Sequence, residues 1–182
     1  MYGSPEKDNR DETVRPIIVS NHYLEAVPFL EFLIENRLVK GGTEGDTSAI
    51  WNNILWAYFT ARDNYAIGPE TFLSSRGVSL SVARFIPENN WEELTFFNVA
   101  CMGPGLEAEE TIWEDAAAQL GKDLAGISGK HRKYGAVAVG RYIRFYEWKG
   151  GKLFSIADSQ TFRLDRQSKA ITDQLLYFRE NQ

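Results

Sequence analysis

The run Leu94 to Met102, LTFFNVACM, is apolar almost without interruption. A segment that does not alternate must be covered on both faces, so it reads as a central strand with layers above and below it. Its one strongly polar interior member is Asn98. An amide inside such a run needs hydrogen-bond partners if it is buried, so Asn98 is either a satisfied core amide or a group pointing into a cleft. At 182 residues, 43% hydrophobic and 25% charged, the chain has enough material for one globular domain around that strand.

The neighbouring segments supply the layers. Val27, Phe29, Leu30, Leu33, Ile34 and Leu38 recur at helical spacing and predict a helix over 28–39, stopped by Gly41-Gly42. A second helix is expected over 48–62, with Ile50, Trp51, Ile54, Leu55, Tyr58 and Phe59 on one face and Asp46 or Thr47 as its cap. Strands follow at 65–73, with Gly68-Pro69 as an irregularity, and at 78–86, where alternation puts Ser79 and Ser81 on one face. After 94–102 comes a helix with an acidic entrance and a stripe of Ile112, Trp113, Ala116, Ala117, Leu120 and Leu124. The segment 136–148 reads as one long strand bent at Gly140. Gly150-Gly151 is expected to turn it into 152–157, and a helix over 168–179 closes the chain.

Residues 1–15 are polar and without periodicity, and are expected to form a disordered or loosely attached arm, leaving 16–182 as the folded domain. The formal net charge of -5 argues against a chain whose main task is to hold nucleic acid, since phosphate contacts draw on clustered Lys and Arg. The one dense basic cluster is Lys130-His131-Arg132-Lys133. Its histidine reads more simply as a solvated loop residue than as an acid–base group. Cys101 is the single cysteine, which excludes an internal disulfide and is expected to be a buried, inert thiol. No stretch has membrane-spanning length and no signal-like segment opens the chain, so a cytoplasmic protein is expected. The aromatic richness reads first as core, although such a chain can also dimerise through a helix.

The order of these segments, from about Thr47 to Asp158, resembles the core of the PD-(D/E)XK nuclease-like superfamily. More specifically, Gln119-Leu120 on the helix followed by the run Tyr134 to Tyr146, YGAVAVGRYIRFY, looks like fungal and Crinkler-type proteins of that group. The resemblance implies an α/β fold with a restriction-endonuclease-like central mixed sheet flanked by helices, in the order ααβββαββα. In active members an acid on the second strand and an acid-x-Lys motif on the third bind divalent cations, which need anionic oxygen ligands. Those positions fall here on Ser79 and on Asn98-Val99-Ala100. Both carboxylates are replaced, so nuclease activity is not expected unless a migrated site uses Glu70 or Asp63.

What the resemblance leaves is a neutral, hydrogen-bonding cleft. Asn98 and Gln119 are its candidate catalytic groups, and Ser79, Ser81, Arg141 and Arg144 its candidate substrate-binding groups. Gln119 also reads as a polar flank of its helix. Arg141 and Arg144 lie three positions apart, so at most one of them should enter a cleft. The expected occupant is a small organic molecule, bound without metal or cofactor and open to isomerisation or cyclisation. The alternatives are a non-catalytic module that meets a protein partner, and a residual metal-dependent nuclease.

Overall fold

Alternation along two strands sets the frame of the molecule. The computed structural model describes residues 20–70 and 78–182, with the side chain of Glu70 left aside. The expected arm at 1–15 and the end of the first expected strand, at 71–73, lie outside the described residues. Strand β2 (Val78–Ile86) pairs antiparallel with β3 (Glu92–Met102), Ser81 opposite Asn98 and Ser79 opposite Ala100. The register shifts between Val82 and Ala83, whose partners are Phe97 and Thr95. Phe96 is the extra residue of this bulge, which lets two consecutive phenylalanines enter one core.

Around this pair lie β1 (Tyr65–Glu70), β4 (Lys133–Val139), β5 (Tyr142–Lys149), β6 (Lys152–Ser155) and β7 (Phe162–Arg163). Together they form a seven-stranded mixed sheet in the order β1-β2-β3-β4-β5-β6, with β7 also on β5. Among the described strands only the β3–β4 neighbours are parallel, and helix α4 (Glu110–Gly126) makes the crossover between them. The α/β class and the central mixed sheet flanked by helices are as the sequence indicates.

The element order differs from the expectation in three places. The expected long strand over 136–148 is a hairpin: Val139 pairs with Tyr142, leaving Gly140-Arg141 as a two-residue turn. Gly140 sits at φ +53°, and a Cβ there would lie 2.4 Å from a Glu107 carboxylate oxygen and 2.9 Å from Pro104. Both backbone conformation and space therefore require glycine. The short strand β7 is additional, and a short helix α1 (Tyr23–Ala26) precedes α2 (Phe29–Arg37).

Helix α3 (Glu44–Tyr58) begins four residues before the expected start, because Thr43 rather than Asp46 or Thr47 is the cap. The Asp46 N–H donates to the Thr43 hydroxyl at 3.2 Å, and the Thr43 N–H donates to the Asp46 carboxylate at 2.9 Å. This reciprocal box holds the Asp46 carboxyl below the usual range, chiefly through the backbone bond from Thr43. Helices α1, α2, α3 and α5 (Ser168–Glu180) contribute to one core on one face of the sheet, centred on Phe59, Phe96, Phe97, Tyr134, Phe145 and Phe178. Burying each such side chain contributes roughly 1.5–3 kcal/mol. The other face carries a smaller core of α4 with Val137, Val139 and Tyr146.

Candidate functional site

Pleating sends alternate residues of β2 and β3 to opposite faces. Leu80, Val82, Val99 and Cys101 enter the larger core, which leaves Ser79, Ser81, Asn98 and Ala100 on the face that α4 covers. Gly68, Ser81, Asn98 and Gly135 stand side by side across four strands. Ser79 and Ser81 therefore share a face, as their alternation predicts, and Asn98 lies on it too. All three residues are buried.

Their hydrogen bonding is uneven. Ser79 donates to the Val99 carbonyl at 3.2 Å. Asn98 is 1% exposed, and its Oδ1 has no hydrogen-bond partner among the described residues. An unpaired buried amide oxygen carries a desolvation cost of about 1–3 kcal/mol, so a group that persists without a partner needs an explanation beyond packing.

Helix α4 brings a second set of polar groups to this face. A Cβ on Gly135 would lie 2.7 Å from a Leu120 methyl, so Leu120 rests directly on β4 at the row that contains Asn98. Gly121, one step round the helix, meets the Trp148 ring and Leu153 of β5 and β6. At 3.6 residues per turn, Gln119 and Asp123 flank Leu120 on the side away from Gly121, toward β3. The Gln119 Nε2 donates to the Asp123 carboxylate at 2.8 Å. Partial burial pushes the Asp123 carboxyl above the usual aspartate range, an effect opposed by the Gln119 bond and by the Lys122 charge.

Asp123 was not among the candidates read from the sequence. The signal available was its i,i+4 spacing from Gln119, which places the two on one helix flank. It was hidden by its neighbour Lys122, beside which a carboxylate reads as part of a solvated face.

The two candidate arginines serve the scaffold. Arg141 leaves the site altogether: its guanidinium donates to the Leu38 carbonyl at 2.8 Å and the Glu35 carbonyl at 3.1 Å, closing the end of α2. A cation is favoured there by the helix dipole. Arg144 lies on the α4 face, but it grips both carboxylate oxygens of Glu110, donates to Thr161 Oγ1 at 2.8 Å and lies 4.3 Å above the Trp113 ring. It fixes the start of α4 against β5. The carboxylates considered for a migrated metal site also separate. Asp63 is held by Arg179 at 2.9 Å and by Thr60 at 3.0 Å, while Glu70 pairs through its backbone with Ser79.

Elsewhere, burial pushes the Cys101 thiol far above its ordinary value, in keeping with an inert core sulfur. The His131 ring is anchored rather than solvated, with Nε2 2.7 Å from the Thr95 carbonyl. Among the described residues no group of three or more His, Cys, Asp or Glu is gathered to hold a metal ion, and no helix is long and apolar enough to cross a membrane.

The face that α4 packs against carries the Ser79 and Ser81 hydroxyls and the Asn98 amide, and α4 itself carries the Gln119 amide and the Asp123 carboxyl. It can donate and accept hydrogen bonds, and Asp123 can hold or release a proton. In comparisons with family models, curated proteins and solved structures, the chain matches none.

Proposed function

We propose that the strip formed by Ser79, Ser81 and Asn98, together with the Gln119–Asp123 flank of α4, binds an uncharged small organic molecule. The observation that carries this reading is the buried Oδ1 of Asn98, unpaired among the described residues. A ligand hydroxyl or N–H would donate to this oxygen and offset the cost of desolvating it.

On this reading the chain is a PD-(D/E)XK-like scaffold, with a restriction-endonuclease-like sheet, whose nucleolytic groups have been replaced. The parallel β3–β4 pair joined by α4, with Gln119 turned toward β3, is compatible with that ancestry. Its chemistry is a metal-independent isomerisation or cyclisation. Asp123 takes a proton from one atom of the ligand and returns it at another, while Asn98 and Gln119 hold the ligand by hydrogen bonds. Such a step leaves the atom count and oxidation state of the ligand unchanged. No cofactor is needed for it.

The test is mass spectrometry of small molecules released from purified wild-type protein and from Asn98→Leu, beside ligand-observed NMR of a neutral fragment set on both. A compound held by wild type and lost from the variant supports the reading. Identical binding profiles in the two proteins would sink it.

A second reading, a protein-interaction module, is favoured by the exposed aromatics Phe29, Phe32, Trp91 and Phe154. Cross-linking of the full chain through these residues to one protein partner, with wild-type behaviour in Asn98→Leu, would move the function to that surface.

A further inference from the structure

At the far end of α4 the loop after its last turn and the end of β5 line an open hollow of about 290 Å³. That is roughly ten times a water's share of liquid volume, room for a phosphoryl group with a small body attached. Its walls carry Lys130, Arg132, Lys133 and Lys149 against one carboxylate, Glu147. In a chain with net charge -5, four permanent cations around one concavity stand against the overall charge balance.

Two of these cations are already committed. Arg132 Nε lies 3.3 Å from Glu147 and the same guanidinium donates to the Tyr177 hydroxyl. The buried Lys133 ammonium donates to the Ile127 carbonyl, where it closes the C-terminal end of α4. The other two are open: Lys130 and Lys149 are exposed, and neither has a carboxylate within 4 Å among the described residues. His131 fixes the loop that carries Lys130: a carbonyl can only accept, so its Nε2 donates to Thr95.

We propose that this hollow is a binding site for a phosphate dianion, either free or as the monoester of a small molecule. The two open ammonium groups match the charge of about -1.5 to -2 that a phosphomonoester carries near neutrality. Lysine serves phosphate as a point charge and needs no bidentate geometry. Glu147 in the wall and the net charge of -5 disfavour a long polyanion as the occupant. The site is separate from the neutral strip and does not depend on the reading given to it.

The experiment is an NMR titration of ¹⁵N-labelled full-length protein with inorganic phosphate, at an ionic strength held constant with chloride. A parallel titration uses phenyl phosphate, with phenol as its uncharged control. Saturable shifts are expected in the Gly129–Lys133 loop, the Lys149–Gly151 turn and the Trp148 indole. Lys130→Glu combined with Lys149→Glu should weaken phosphate binding at least tenfold, whereas Asn98→Leu should leave it unchanged. Tighter binding of phenyl phosphate identifies an ester as the natural form, and equal binding identifies free phosphate. The proposal is overturned if the loop shows no saturable response, if chloride reproduces it, or if the double charge reversal, with a dispersed spectrum showing that it folds, binds phosphate as wild type does.

Discussion

The two faces of the sheet are built from the same strands and follow different rules. On one, Leu80, Val82, Val99 and Cys101 join the core of α1, α2, α3 and α5, and aromatic rings interlock from Tyr65 to Phe162, with Tyr134 and Phe178 stacked 4.3 Å apart. On the other, Ser79, Ser81 and Asn98 accompany one helix whose near flank is Gln119 and Asp123. An apolar face gains stability from every residue it buries. A buried polar face with an unpaired amide oxygen loses some. The difference teaches where stability is concentrated and where it has been given up, and groups held at a cost in stability are where function is to be sought.

Removing a ring from the apolar face should have the largest effect. Phe178 contacts Phe97, Tyr134 and Phe145 at centroid distances of 5.2, 4.3 and 5.6 Å and is fully buried. Phe178→Ala is expected to cost about 3–5 kcal/mol, read from the shift in urea midpoint at unchanged slope. A loss below about 1 kcal/mol would mean that α5 can collapse into the gap and that the aromatic core is not the rigid side of the comparison.

The polar face has one structural clamp, and it should come second. Arg144→Ala removes the stacking on Trp113 and the hold on Thr161 and Glu110, with an expected loss of about 1–2 kcal/mol. Arg144→Lys should recover little of it, because an ammonium cannot grip Glu110 with two parallel bonds.

Asn98→Leu sharpens the contrast by its sign. Leucine fills a similar space without an oxygen to desolvate, so stability should stay level or rise by about 1 kcal/mol while ligand binding disappears. A loss of more than about 2 kcal/mol would show the amide to be a structural member, and the two faces would then differ only in composition.

These experiments also separate what the sequence disclosed from what it withheld. Asn98 was legible because one amide interrupts LTFFNVACM, and the shared face of Ser79 and Ser81 followed from strict alternation. The hairpin at Gly140-Arg141 was not legible, because VAVGRYI continues its apolar pattern through the turn. The demand for glycine there comes from Pro104 and Glu107, which are distant in sequence. The start of α3 was missed because Thr43 and Asp46 form a box whose two halves are recognisable only together. Arg141 was misjudged as a cleft residue for the same reason: its partners Glu35, Leu38 and Asp165 are set by tertiary packing. Periodicity reports which side of an element is buried, and cannot report what a long polar side chain will reach.

The smallest effect expected is also the one that tests whether the polar face is chemically poised. Asp123 has its folded-state carboxyl raised by partial burial, with Gln119 and Lys122 opposing. A raised acid binds its proton more tightly in the folded chain than in the unfolded one. Between the ordinary aspartate value and the raised one, the folded state therefore carries more protons, and stability must fall as pH rises through that window. Asp123→Asn removes this contribution. The stability of wild type minus that of the variant, from urea midpoints at about pH 4 to about pH 7, should decline with pH and then level off. Every other titrating group is common to both proteins and cancels in the difference. Gln119→Leu should steepen the decline, since its amide donates to the ionised form and holds the carboxyl down. A flat difference curve would place Asp123 in solvent like the exposed carboxylates of α4, and the face would then lack its one proton-transferring group. A declining curve that Gln119→Leu steepens would show that partial burial and the Gln119 amide together set the proton affinity of Asp123, as an acid–base role requires.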